Sequence, residues 1–317
     1  MKKKLAMMFL VVILAIVTAA CNPTGSKESS GAPAEVKESE EITVKHKLGE
    51  TKVKKNPQKV VVFDFGVLDS LDKMGVEVAG VPQATIPSYL SKYKDAKYVN
   101  TGSLKEPDFE KINEVQPDLI IISDRQAELY KKFAEIAPTI HMTIDYKNYM
   151  TSFKENMKTL GNIFGKESFV EEELEKVDQT IEKLHDKAAA SGKNALIILA
   201  NDGKVSAYGP GSRFGIIHDV FGVTPVDKNI EVSTHGQSIS FEYIVEKNPD
   251  YLFVIDRGAV VGGQSSAKQV VENDLVKNTK AFKDGNIVYL DPNFWYLSGG
   301  GLVSVSEMVK EIEQGVK

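Results

Sequence analysis

The sequence predicts an α/β protein of two similar lobes, each built on a mostly parallel sheet, with one long rigid helix bridging them. The first observation is the stretch 166–190. There Phe169 or Val170, Leu174, Val177, Ile181 and Leu184 recur every three or four positions among Glu, Lys, Asp and Gln. That is a helix with one apolar stripe, and at about 1.5 Å per residue it makes a rod of roughly 36 Å. The second observation is a repeat flanking the rod. DFEKINEVQPDLIIISDR at 108–125 and SFEYIVEKNPDYLFVIDR at 240–257 share eight of 18 positions at an offset of 132. Each copy reads as a short helix, a Pro-Asp turn, a buried strand and an Asp-Arg pair at the strand's carboxyl end. The third is the alternation of strand and helix in both halves, which parallel sheets require.

In chain order, the N-terminus begins with three lysines, an apolar run of 13 residues from Leu5 to Val17, and small residues before Cys21. The run is short for a membrane span, so 1–20 read as a secretory signal. Thr18-Ala19-Ala20-Cys21 resembles the lipobox of bacterial lipoproteins, with Thr where Leu is usual. Cys21 is the single cysteine, which excludes an intramolecular disulfide and marks it as the lipidation site. More than one acyl chain there anchors stably. Residues 21–41, rich in Ser, Gly, Pro and Glu without an aromatic, form a flexible tether.

The N-terminal lobe, 42–165, opens with strands at 42–48 and 49–53. A buried strand at 59–65, a helix at 66–74 closed by Gly75, and a strand at 76–81 follow. After an irregular stretch and the first repeat copy come a helix at 126–136, a strand at 139–142 and a helix at 149–164. The connecting helix takes 166–190. The C-terminal lobe, 191–317, has strands at 195–200 and 205–208 joined by a hairpin through Asn201-Asp202-Gly203. A helix from Arg213 to near Phe221, with Ser212 as its N-cap, precedes the second copy. A strand at 287–290, the loop DPNFWYLSGGG at 291–301 and a helix from 302 to about 314 complete the lobe.

In open, Rossmann-like sheets ligands bind beyond the carboxyl ends of the strands. Arg125 and Arg257, at equivalent strand ends, should face one cleft from opposite walls. Arg213 follows a Gly-Pro-Gly-Ser turn, and Lys105 and His235 lie in the loops before the two repeat copies. These are the only three arginines, against 36 lysines, and Arg suits forked, desolvated anion contacts. The whole chain carries 39 basic and 44 acidic residues, a formal charge of −5, and loss of the signal's three lysines takes it to −8. Such a chain is a poor nucleic-acid binder, so its anion site must be local.

At ISDR (122–125), GPGSRFG (209–215), HGQSISFEYI (235–244), NPDYLFVIDRG (248–258) and DPNFWYLSGGG (291–301) the chain resembles the class III substrate-binding proteins of ABC importers. Within them it is similar to the Gram-positive iron-siderophore-binding lipoproteins. The resemblance runs from the lipobox to the last helix. It implies a non-enzymatic, monomeric, lipid-anchored protein on the extracytoplasmic face of the membrane, delivering an anionic ferric catecholate siderophore to an ABC permease. The ferric siderophore is its ligand, and no intrinsic cofactor is expected. It further implies that Arg125, Arg213, Arg257 and Lys105 neutralise the ferric complex and that Trp295 and Tyr296 line the pocket. His235 and Tyr296 would ligate iron directly when a tetradentate siderophore leaves sites open. One carboxylate per lobe, Asp69 and Asp219, would dock the permease.

Alternatives have less behind them. No GxGxxG or GxxxxGK[ST] is present, and the histidines show neither HxH nor HExxH spacing. Binding of haem or ferric citrate remains open within the same class. A siderophore esterase would need a nucleophile site that no Ser-His-Asp or Cys-His spacing supports.

Overall fold

The computed structural model describes residues 40–317. The signal, Cys21 and nearly all of the tether lie outside the described residues. Among those described, no helix is long and apolar enough to cross a membrane.

An antiparallel hairpin, β1 (Glu41–His46) and β2 (Gly49–Lys54), precedes the first sheet. That sheet holds β3 (Val60–Val62), β4 (Gly80–Val81), β5 (Val99–Asn100), β6 (Leu119–Ile122) and β7 (Thr139–His141). Its order is β5-β4-β3-β6-β7, parallel throughout. The second sheet holds β8 (Asn194–Asn201), β9 (Lys204–Tyr208), β10 (Thr224–Pro225), β11 (Gln237–Ile239), β12 (Tyr251–Asp256) and β13 (Ile287–Leu290). Its order is β11-β9-β8-β12-β13, with β10 beside the start of β8.

Here β8, β12 and β13 are parallel, whereas β9 and β11 are antiparallel additions. The second sheet is therefore mixed rather than mostly parallel. The cause is the hairpin read from the sequence: Asp202 and Gly203 both take positive φ, 47° and 80°. A two-residue turn of that kind returns the chain antiparallel, where a parallel neighbour needs a crossover.

The repeat is real at the level of single hydrogen bonds. Asp108 caps the helix Phe109–Val115 by accepting from Lys111 N, and Ser240 caps Phe241–Lys247 by accepting from Tyr243 N. Gln116 and Asn248 both end their helices in the left-handed region, φ 50° and 43°. The aspartates after the prolines then do the same work. Asp118 accepts from Gln58 N and Lys59 N ahead of β3, and Asp250 accepts from Asn194 N at the start of β8. Accordingly β3-β6-β7 and β8-β12-β13 have the same order and direction.

The bridging helix runs Glu167–Ser191 and buries Val170, Leu174, Val177, Ile181, Leu184 and Ala188, ending at Gly192 with φ 63°. The terminal helix Leu302–Gly315 packs against it and against the first-lobe helix Phe65–Lys73. One apolar cluster joins Leu68 and Leu71 to Val177, Val305, Met308 and Ile312. The last helix thus belongs to both lobes in packing, although it closes the second in sequence.

Asp69 makes that junction. It is fully buried and accepts from Ser304 N at 3.0 Å, Val303 N at 3.3 Å and the Tyr89 hydroxyl at 2.9 Å. It satisfies the free N–H groups at the terminal helix's start, and a Cβ on Gly301 would collide with it. The assignment of Asp69 as a surface docking carboxylate is corrected: no solvent reaches it. Sequence alone could not separate an aspartate on a solvated helix face from one under another helix.

Candidate functional site

A cavity of about 830 Å³ lies beyond the carboxyl ends of the parallel strands. Asp64 follows β3, Ser123-Asp124-Arg125 follow β6, and Met142 to Tyr149 follow β7. The far wall comes from Gly211-Ser212-Arg213, Val232 to Thr234 and the segment around Trp295. Arg125 is not the last residue of its strand but stands three positions beyond it in a 3-10 turn, Asp124–Leu129. Arg257 directly follows β12. The segment Asn293–Ser298, expected as loop, is π-helical, a geometry that recurs at functional sites.

Tyr296 on that segment organises the second-lobe arginines. The Arg257 Nε donates to its hydroxyl at 2.8 Å, and Arg257 Nη1 donates to Asn201 Oδ1 at 2.7 Å. Arg213 donates to the Tyr296 carbonyl at 2.5 Å and lies 4.5 Å from its ring centroid. Burial pushes the Tyr296 phenol up. The Arg257 hydrogen bond and the charges of Arg257, Arg213 and Arg125 outweigh it and hold the phenol below the ordinary tyrosine value. All three arginines therefore act on one point. Among the described residues none of them forms an ion pair with a carboxylate.

The cavity's carboxylates are occupied otherwise. Asp124, adjacent to Arg125, accepts from His141 Nε2 at 3.0 Å and from the Thr143 hydroxyl at 2.8 Å. The His141 bond is the main reason its carboxyl sits below the usual range. Asp64 caps the first helix through Gly66 N and Val67 N at 2.9 and 3.0 Å, and burial pushes its carboxyl up. Neither forms an ion pair with an arginine, although the Arg125 charge works against the rise at Asp64.

The expected site residues divide. Arg125, Arg213 and Trp295 line the cavity, and Arg257 and Tyr296 join it through the contacts just given. Trp295 is nearly sealed, at 2% exposure, with its indole N–H donating to Glu311 at 2.8 Å. Lys105 is exposed and outside the lining, in a loop closed by the bond of Ser103 N to Glu106 O. His235 is also exposed and outside it, one residue past Thr234, which does line the wall. Ser212 does not cap a helix: its hydroxyl donates to Gly209 O inside the turn, and the helix there is only Ile216–Asp219. Asp219 is exposed, with a carboxylate oxygen accepting from Gly211 N.

Sequence reasoning missed Asp64, Lys47, Tyr146, Lys147 and Tyr149, all in the lining. Except for Lys47, which sits in the β1–β2 turn, each follows a strand's carboxyl end. Applying that rule to every strand, and not only to the repeated ones, would have found them.

Residues 60–294 match the sequence profile of a family described as periplasmic binding protein. The chain is 56% identical to the petrobactin-binding protein YclQ of Bacillus subtilis, with 99% of each chain covered. It is 31% identical to the ferric-anguibactin-binding protein FatB of Vibrio anguillarum, covering 96% of each. The crystal structure of YclQ superposes with a TM-score of 0.86 at 59% identity, over 88% of this chain and 99% of that one. The structure of BauB, bound to a complex of two acinetobactin molecules and ferric iron, gives 0.81 at 35% identity, over 88% and 99%. A shared profile, near-full-length identity and a matching backbone lead to one conclusion: the chain belongs to the periplasmic binding protein family.

Proposed function

We propose that this chain is the substrate-binding lipoprotein of an ABC importer and takes an anionic, petrobactin-like ferric catecholate into the cleft between its lobes. One observation carries the reading: Arg125 and Arg213 line a single cavity that Arg257 joins through Tyr296, and none of the three is ion-paired with a carboxylate among the described residues, in a protein of net negative charge. Arg213 and Arg257 are held by neutral partners, and Arg125 faces the cavity with its charge felt by the buried Asp64, so most of the positive charge is left for the ligand. Forked guanidinium donors suit a ferric complex whose oxygens carry the negative charge. The ligands for which YclQ and FatB are named, and to which BauB is bound in its structure, are siderophores or their ferric complexes, which supports the same class. Titrating the sole tryptophan's emission with ferric petrobactin, ferric citrate and haem tests it; preference for either of the last two overturns it.

Iron itself belongs to the cargo. A phenol held below its ordinary pKa is nearer to the phenolate that ferric iron prefers as a hard donor. Tyr296 would fill a position that a tetradentate siderophore leaves open, and His235, exposed one residue past the wall, would fill a second if its loop turned inward around the ligand. Tyr296→Phe and His235→Ala are then expected to weaken a tetradentate ferric catecholate selectively and shift its charge-transfer band. Equal losses on a hexadentate ligand would leave both residues as lining.

The protein would be tethered by lipid at Cys21, act as a monomer and present Asp219 to the permease. Reversing the charge of Asp219 is expected to abolish uptake by cells while leaving binding in solution intact. Normal uptake would remove Asp219 from the docking surface.

A further inference from the structure

Two large apolar side chains stand exposed at the cavity, one on each lobe. Tyr146 is 39% and Val232 51% exposed, and both belong to the lining. Scattered exposed apolar residues need no explanation, but these two flank one opening from opposite walls. Both are mounted rigidly. Tyr146 opens a 3-10 turn in which Asp145 accepts from Lys147 N at 3.0 Å and from the Asn148 amide at 2.8 Å. Asp145 N in turn donates to the Ser152 hydroxyl at 2.9 Å. On the other wall, Glu231 N donates to the Gln237 side chain at 2.8 Å, and the Ser233 hydroxyl donates to Gly236 O at 2.9 Å.

The two walls also approach closely here. The Lys147 stem lies 3.8 Å from the position a Cβ on Gly211 would take. Burial chiefly disfavours ionisation of Tyr149 in its own lobe and of Tyr208 on β9, and the Tyr146 phenol is near enough to both to add to it. Tyr146 therefore overhangs the cleft. The same lining carries the cationic side chains of Arg125 and Arg213.

This division of labour has a chemical meaning. Cationic donors hold any ferric polyanion, aromatic or not. Apolar lips add nothing for a chelate whose periphery is carboxylate or hydroxyl, and they would leave such groups poorly solvated. They favour a chelate whose oxygens are carried on flat rings, because ring faces can cover them and release water. We propose that Tyr146 and Val232 are a specificity device, closing over the aromatic rings of the ligand and selecting an aromatic ferric chelate over an aliphatic one of similar charge. The inference rests on the reading of the cavity as a ferric catecholate site.

The test is the double variant Tyr146→Ala, Val232→Ser, beside Tyr146→Phe, titrated by tryptophan emission with ferric petrobactin and with ferric citrate. Both side chains are exposed, so folding is expected to be intact, checked by the thermal midpoint. The double variant is expected to bind ferric petrobactin about tenfold more weakly, with any ferric citrate binding unchanged. Tyr146→Phe, which keeps the ring, should stay within threefold of wild type. A double variant within threefold of wild type on ferric petrobactin overturns the proposal. So does an equal loss on ferric citrate, or a Tyr146→Phe loss as large as that of the double variant. Wild-type protein that binds ferric petrobactin alongside an unaffected double variant removes this inference alone. Wild-type protein that binds neither probe removes the underlying reading and the inference with it.

Discussion

Replacing Arg257 by glutamine is expected to weaken ferric catecholate binding about 30-fold or more, the usual consequence of removing one partner from a desolvated charge contact. The same change should raise the Tyr296 pKa. The Arg257 hydrogen bond and charge are the largest influences holding that phenol down, and burial alone would push it up. Ultraviolet difference titration should therefore show one tyrosine ionising early in the wild type and not in the variant. Arg213→Gln should act similarly on affinity and less on the phenol, since Arg213 touches the Tyr296 ring and carbonyl rather than its hydroxyl. Arg125→Gln should lower affinity with the smallest effect on Tyr296. If all three variants bind within threefold of wild type, the arginines do not supply the site's charge.

Asp69→Ala should cost about 3 kcal/mol or more of folding stability. It strands the Ser304 and Val303 amides and the Tyr89 hydroxyl without their acceptor, at about 1–3 kcal/mol for each buried group left unpaired. For a chain of this size that is a fall of roughly 5 °C in Tm. Asp69→Asn keeps an acceptor and should lose far less.

The pH dependence separates the two further. Burial pushes the Asp69 carboxyl up from 3.8 to about 6, so the folded state holds a proton that the unfolded state releases. Its contribution is fully present below about pH 4 and is lost as pH rises through 6. Denaturant unfolding of wild type minus Asp69→Asn should therefore fall between pH 4 and 7, by about 3 kcal/mol for a two-unit shift. A flat difference would mean that Asp69 has the same pKa in the folded and unfolded states, and a rising one that it is ionised in the fold throughout.

Much of this was legible in the sequence, because the elements that form are those with strong local signals. The stripe from Val170 to Leu184 placed the bridging helix within one residue of Glu167–Ser191, and the repeat placed β6 and β12. Tyr149–Phe164 and Ile287–Leu290 appear at the expected bounds. Weak signals failed. The stretch 126–136 is a 3-10 turn followed by a short helix, Tyr130–Ala134, and β4 is only Gly80–Val81. At the site, scarcity made the arginines visible, and each came from a strand end or a tight turn. Lys105 and His235 stand exposed outside the lining, because a place in the loop before a repeat copy does not fix which way that loop turns. Asp69 failed because its partner helix lies more than 230 residues away, beyond any local pattern.

The joint between the first and last helices bears on how the molecule can move. Gly66 and Gly301 let two backbones meet where a side chain on either would collide, and Asp69 and Ser70 bind the start of the terminal helix across that joint. The two halves are thus pinned at a second place besides the connecting rod. A body pinned at two separated points is stiff in twist and in bending alike. Cargo would then be announced by small shifts at the opening and not by the wide swing of a single-jointed clamp. Small-angle scattering with and without ligand should accordingly show nearly the same radius of gyration.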